Sequence, residues 1–289
     1  MKTILLKIGK KFKLFYAILV SKRIRNKKLS LGINIKEKRK ERIIISLTSF
    51  PKRYNTLDIC IKSLMFQTMK ADKIILYLST DAGYQNIPEK IRILEKYGLT
   101  IKYGYENLMP HKKYFYAMQE YPNDIIITAD DDLIYDKNLI KDLWKSYKKN
   151  PSVISARRCH LMQACNGKIL PYNNWLFEYK KQRYPSHQLF STNGAGTLFP
   201  PHSLPAEAFK SEQIKELCLK ADDVWIKFML LKSNVKVFWV KSHHIMPIVI
   251  PNTQEQALYF SNKGENINDF YISAMETFTG IYLSEFCTI

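Results

Sequence analysis

From Arg42 onward the chain alternates short apolar runs with longer amphipathic stretches, and this alternation constrains the fold more than any other feature of the sequence. Ile43, Ile44 and Ile45 begin a run that ends at the polar segment Ser46 to Ser49. Consecutive β-branched residues of this kind make a strand buried on both faces. The spacing then predicts a helix over 54–67, a strand over 73–78 and a helix over 88–97. A short strand over 100–103, a helix over 112–119 and another buried strand over 124–128 follow. Helices that alternate with buried strands imply an α/β fold with a mainly parallel sheet. A chain of 289 residues that is 46% apolar can bury one large core of this type, with surplus at both ends. The expected organisation is a basic leader over 1–41, a main domain over 42–250 divided into halves 42–135 and 136–250, and a tail over 251–289.

In an open parallel sheet, ligands sit beyond the carboxyl ends of the strands. Thr48, Ser49, Phe50, Pro51, Lys52 and Arg53 follow the first strand, and Ser79, Thr80 and Asp81 follow the second. The strand over 124–128 delivers Asp130, Asp131 and Asp132. Residues two apart in extended chain point the same way, so Asp130 and Asp132 can share one ligand while Asp131 points elsewhere. Clustered carboxylates repel unless a cation offsets them. Hard ions such as Mg²⁺ or Mn²⁺ prefer this oxygen set and bridge it to a diphosphate. The plain alternative is a solvated loop with one Asp capping a helix, although Asp136 is better placed to cap a helix over 137–147.

On these residues the stretch from Arg42 to Asp132 resembles the nucleotide-binding half of the GT-A glycosyltransferases, in particular family 2-like enzymes of bacterial surface-polysaccharide synthesis. The resemblance extends over roughly 42–250. It implies a Rossmann-like sheet flanked by helices, a nucleotide-sugar donor such as a UDP-sugar, and Mn²⁺ or Mg²⁺ at Asp130 and Asp132. It further implies that Thr48, Ser49, Arg53 and Asp81 contact the nucleotide, with Asp131 beside the donor. Lys112, at the start of the helix before the acidic triplet, stands where a basic side chain reaches the nucleotide in similar enzymes; a solvated helix start is the other reading.

In the second half, the turn-forming segment Asn193 to Pro201 leads into an apolar strand, and Gly194 and Gly196 permit close approach of the backbone to a ligand. In similar enzymes such a segment lines the donor and acceptor pocket. Asp222 and Asp223 open an apolar helix running to Leu231. Neighbours on a helix lie about 100° apart, so one aspartate should face the cleft while the other caps the helix. The pair matches the acidic pair that supplies the base in inverting GT-A enzymes. Asp223 is therefore the expected base, with Asp222 in reserve. His243 and His244 follow an apolar run over 235–240, where a histidine completes the metal shell in some enzymes of this type. In the tail, Lys263, Gly264, Glu265, Asn266, Asn268 and Asp269 form either a lid or a loop before a final packed helix.

Of the formal charge of +19, residues 1–42 carry +13, from fifteen Lys/Arg against Glu37 and Glu41, leaving +6 for the other 247. Basicity confined to a leader argues against nucleic acid as a partner of the main domain. Leu5, Ile8, Phe12, Phe15, Tyr16 and Leu19 share one helical face, which is the pattern of an interfacial amphipathic helix on an anionic membrane. The longest uncharged run there, Leu14 to Ser21, is far short of the ~20 residues needed to span a bilayer. Residues 1–30 are thus expected to attach the chain peripherally to the cytoplasmic face of a bacterial membrane, facing a glycan or lipid-linked acceptor. A helix packed on the body is the alternative. Five scattered cysteines without CxxC spacing indicate neither a zinc site nor a disulfide framework. Two rival functions remain: a nucleotidyltransferase, which normally carries a glycine-rich loop that Leu47 to Arg53 lacks, and an inactive sugar- or nucleotide-binding protein on the same scaffold.

Overall fold

The computed structural model describes residues 2–242, 247–253 and 267–287. Its centre is a seven-stranded sheet of β1 (Ile43–Thr48), β2 (Lys73–Ser79), β3 (Leu99–Tyr105), β4 (Ile125–Ala129), β5 (Ile154–Ala156), β6 (Thr197–Phe199) and β7 (Val237–Trp239), in the order β7-β5-β6-β4-β1-β2-β3. All pairings are parallel except those of β6, which runs antiparallel between β4 and β5. β1 lies at the middle because its isoleucines feed two cores at once. Ile43, Ile45 and Leu47 join one hydrophobic cluster and Ile44 the other, on opposite faces, as the two-residue period of a strand requires.

The principal helices are α1 (Lys2–Asn26), α2 (Tyr54–Met65), α3 (Lys112–Glu120), α4 (Leu139–Lys149), α5 (Asp222–Lys232) and α6 (Ile267–Thr279). Helices α2 and α4 cover one face of the sheet, and α3, α5 and α6 cover the other. In α5 nine of eleven residues are buried, including Trp225, Phe228 and Met229, so burial rather than amphipathic patterning holds it in place.

Register brings the strand ends level. Thr48 on β1 is opposite Tyr77 on β2, and Leu47 is opposite Ala129 on β4. The polar residues after β1, β2, β4 and β5 therefore emerge at one edge. Because β6 is antiparallel, its leading segment Asn193 to Gly196 arrives at that same edge. A nearly all-parallel sheet contributes only strand ends there, whereas this single reversed strand contributes a strand entrance.

Several sequence expectations shift. The helix expected over 137–147 starts at Leu139, and Asp136 does not cap it; its Oδ1 accepts a hydrogen bond from the Asn138 N–H at 2.9 Å and forms a turn instead. The tail contains a packed helix, α6, in which Asp269 accepts a hydrogen bond from the Tyr172 N–H. Lys263, Gly264, Glu265 and Asn266 lie outside the described residues, as do His243 and His244. All five cysteines are free.

The leader begins with α1, and the second half of that helix packs on the body. Ala17, Val20, Ser21 and Ile24 face the main domain, and Arg25 forms an ion pair with the buried carboxylate of Asp58 on α2. Residues 11–16 are all exposed. Among the described residues no helix is long and apolar enough to cross a membrane.

Candidate active site

Asp130 begins the loop after β4, and its N–H donates to Gly194 O at 3.1 Å, which stitches the triplet to the segment before β6. The Tyr135 hydroxyl bonds to the same Gly194 carbonyl and to the Asp130 backbone. Gly194 has no side chain because the Asp130 carboxylate occupies the volume a Cβ would need. Gly196, at φ +100°, takes the left-handed region that favours glycine, with Leu139 filling the space beside it. Both glycines thus bring backbone against protein side chains and seat the acidic loop.

Lys113, in the first turn of α3, is buried and reaches two carboxylates at once, Asp130 Oδ1 at 2.8 Å and Asp222 Oδ2 at 3.0 Å. It joins the triplet to the aspartate pair of α5 across 92 positions of sequence. Burial alone would depress the Lys113 pKa, but Asp130, Asp222 and Asp223 outweigh it and hold the ammonium charged. Asp130 in turn is held ionised against the cost of desolvation, chiefly by Lys113.

Asp131 and Asp132 turn toward the β1 loop. Arg53, buried in the single turn after that loop, lies 3.0 Å from Asp132 Oδ2 and 3.5 Å from Asp131 Oδ1. Ser49 Oγ donates to Asp131 Oδ2 at 2.5 Å. Burial pushes the Asp131 carboxyl up to about 7, against the pull of Arg53. Asp132 is also raised, by burial and then by the nearby charge of Asp130. The two-residue alternation expected of extended chain, Asp130 with Asp132 and Asp131 apart, does not hold: the strand ends at Ala129, Asp131 and Asp132 lie in a turn, and both face Arg53 while Asp130 faces Lys113.

Asp223 Oδ1 accepts a hydrogen bond from the Asn193 N–H at 2.8 Å. Burial, then the neighbouring Asp222, raise its pKa to about 7. The expected division of labour within this pair does not hold: neither side chain caps α5, whose first residue follows Ala221 without a side-chain cap. Both aspartates sit in the first turn and both face the site, since Lys113 draws one and the Asn193 amide the other.

Lys112 diverges from Lys113. Its ammonium bonds to Asn107 Oδ1 at 2.6 Å and lies 3.4 Å from Ser79 Oγ, while Asn107 Nδ2 donates to Asp81 Oδ2 at 2.8 Å. Burial lowers the Lys112 pKa to about 8, with Asp81 and Asp131 opposing. It thus stands between the end of β2 and the triplet. Thr48 Oγ1 donates to Tyr77 O at 2.9 Å and belongs to the strand end rather than to this network.

Two residues escaped the sequence reading. Lys113 is not distinguished from Lys112 by sequence, because the helix face that turns inward is fixed by packing of Tyr114, Phe115 and Ala117. Arg158 follows the three-residue strand β5, too short to recognise from its pattern; strand-end logic applied there would have flagged it.

The chemistry of the donor set suits a hard dication. The carboxylates of Asp130 and Asp132 offer only oxygen, the donor such ions prefer. Among the described residues no group of three metal-ligating side chains forms. Asp130 and Asp132 are here paired with Lys113 and Arg53.

A family model described as glycosyl transferase family 2 matches residues 45–202. No curated protein matches the chain. Among solved structures, S. aureus TarS 1–349 is 16% identical, over 71% of this chain and 59% of that one, at a TM-score of 0.44. GalNAc-T7, solved with UDP, GalNAc and Mn²⁺, is 12% identical over 77% of this chain and 47% of that one, at 0.46. The Francisella tularensis 2-C-methyl-D-erythritol 4-phosphate cytidylyltransferase is 16% identical over 78% and 99%, at 0.41. This chain spans only about half to three-fifths of the first two, and overlaps this loose decide nothing about activity.

Proposed function

The chain belongs to glycosyl transferase family 2, and on that premise we propose that it moves a sugar from a nucleoside-diphosphate donor to an acceptor hydroxyl with inversion. The observation that carries this reading is the Lys113 bridge, which sets the acidic pair of α5 against the triplet after β4. A base and a diphosphate-holding edge are thereby brought together. Asp223, with a pKa near 7, takes the proton from the acceptor hydroxyl as its oxygen attacks the anomeric carbon. Asn193 fixes the orientation of that carboxylate. Arg53 and Ser49 hold Asp131 and Asp132 in place, and Lys112 stands beside Asp81 on the nucleotide side. Mn²⁺ or Mg²⁺ held by Asp130 and Asp132 would neutralise charge developing on the departing diphosphate.

A panel of sugar nucleotides, scored for thermal stabilisation and for hydrolysis with and without Mn²⁺, tests the assignment. One donor should stabilise by RT ln(1 + [L]/Kd) and be consumed only with metal. Release of pyrophosphate from a nucleoside triphosphate would instead mark a nucleotidyltransferase, and stabilisation without turnover a binding protein.

We further propose that α1 attaches the protein to an anionic membrane at the cytoplasmic face, where a lipid-linked or glycan acceptor of surface-polysaccharide synthesis would be met. Phe12, Phe15 and Leu19 are 74%, 59% and 49% exposed, on the side of α1 turned away from Ala17 and Ser21. Lys11, Lys22 and Arg23 are exposed on the same helix. An apolar stripe among cations matches an anionic lipid surface. Replacing Phe12 and Phe15 together by Ser should abolish co-sedimentation with phosphatidylglycerol vesicles and leave the melting temperature unchanged. Undiminished sedimentation of that variant would exclude α1 as the anchor.

A further inference from the structure

Arg158 is held at its root and uncommitted at its tip. It lies two residues beyond β5, at the same edge as the triplet. Its carbonyl accepts a hydrogen bond from the Thr192 N–H at 3.0 Å, and its Nε donates to Thr192 Oγ1. Thr192 precedes Asn193, whose amide holds Asp223. The guanidinium is therefore positioned from the same short segment that positions the base.

Four neighbouring cations are spent on protein groups. Lys113 serves Asp130 and Asp222, Arg53 serves Asp131 and Asp132, and Lys112 serves Asn107. Arg157 is tied to Asp142 and to the Lys241 carbonyl. Among the described residues, neither Nη of Arg158 has a hydrogen-bond or ion-pair partner, and neither is among the buried atoms sealed from solvent. Its charge is nevertheless felt by Asp130 and Asp132, the carboxylates assigned to the diphosphate edge. A planar fork with both terminal amino groups free matches two oxygens of one phosphate.

We propose that Arg158 grips the sugar-bearing phosphate of the donor in a bidentate contact and stabilises it as it leaves. This rests on the glycosyltransferase reading of the site. As the acceptor oxygen bonds to the anomeric carbon and its proton passes to Asp223, the bond from that carbon to the phosphate oxygen breaks, and its electron pair stays on the oxygen. Arg158 transfers no proton. It meets the charge that appears on the departing diphosphate, which makes it a catalytic residue rather than a support.

The test uses the full chain, Mn²⁺ and inorganic pyrophosphate as a probe that needs no knowledge of the base or sugar. Calorimetry should show pyrophosphate binding to the wild type, weakened about tenfold to 100-fold in Arg158→Gln, as loss of charge-assisted hydrogen bonds implies. Arg158→Lys, which keeps the charge but loses the fork, should fall between and guards against a folding defect in the first variant. Mn²⁺ affinity without pyrophosphate should stay equal or rise in Arg158→Gln, since a cation near the ion has been removed. Equal pyrophosphate affinity in wild type and Arg158→Gln overturns the role of Arg158 and leaves the glycosyltransferase reading standing. Parallel losses of Mn²⁺ and pyrophosphate affinity overturn it too, because Arg158 would then only shape the site. A wild type that does not bind pyrophosphate with Mn²⁺ overturns both.

Discussion

Replacing Lys113 by Met removes the positive charge that bridges Asp130 and Asp222 while preserving most of the side-chain volume. The two partners differ in their environment: the Asp222 side chain is 9% exposed and that of Asp130 is 36% exposed. Breaking a buried ion pair by deleting one partner costs about 3–5 kcal/mol, because a charge is stranded in a poor solvent. The Asp222 half should bear most of this, since solvent screens the Asp130 half. A net loss of about 3 kcal/mol corresponds to a fall in melting temperature of roughly 6–12 °C, scaled from domains of similar size. Differential scanning fluorimetry of Lys113→Met, Asp222→Asn and the double variant would read it. The double variant should be more stable than Lys113→Met alone, since neutralising Asp222 removes the stranded charge, and the two changes should couple by at least 1 kcal/mol. Lys113→Met melting within 2 °C of wild type, or strictly additive effects, would refute the claim that this bridge holds the two acidic motifs together.

Asp223→Asn should lower turnover by about 10²- to 10⁴-fold with an unchanged melting temperature. A base must be deprotonated to act, so kcat/KM of the wild type should rise with pH through about 7 and then level; a flat profile from pH 6 to 8 would remove Asp223 as the base. Gly194→Ala inserts a methyl group where the Asp130 carboxylate lies, so Mn²⁺-dependent activity should fall at least tenfold, and an active, equally stable variant would show that the seat is dispensable. Lys227, buried and hydrogen-bonded to the His187 and Leu189 carbonyls, has its pKa lowered to about 7 by burial. Between that value and the ordinary lysine value of 10.5 the unfolded chain binds a proton that the folded one does not, so folding gains stability as pH rises from 7 to 10. The melting temperature of wild type relative to Lys227→Met should accordingly increase from pH 7 to pH 9, and a constant difference would contradict the depressed pKa.

The sheet, its strand ends and the acidic motifs are legible in the order of residues alone. Runs such as Ile43 to Ile45 and Ile125 to Ile127 can be satisfied only in strands covered on both faces, and the polar residues that end them must then emerge beyond the sheet. Thr48, Ser49, Arg53 and Asp130 to Asp132 followed from that local rule. Local pattern could not say which partner each charge would take. Lys113 and Lys112 are adjacent and chemically equal, yet packing of α3 turns one to Asp130 and Asp222 and the other to Asn107. Asp222 and Asp223 looked like a cap and a base until tertiary contacts gave each a partner far away in sequence. Strand β6 reads as an ordinary apolar run, and only its pairing with β4 and β5 reverses it, delivering Gly194 to Asp130 and Thr192 to Arg158. Secondary structure is fixed by the period of apolar residues along the chain, whereas ion pairs depend on distances between elements, and those distances exist only after the two cores have closed.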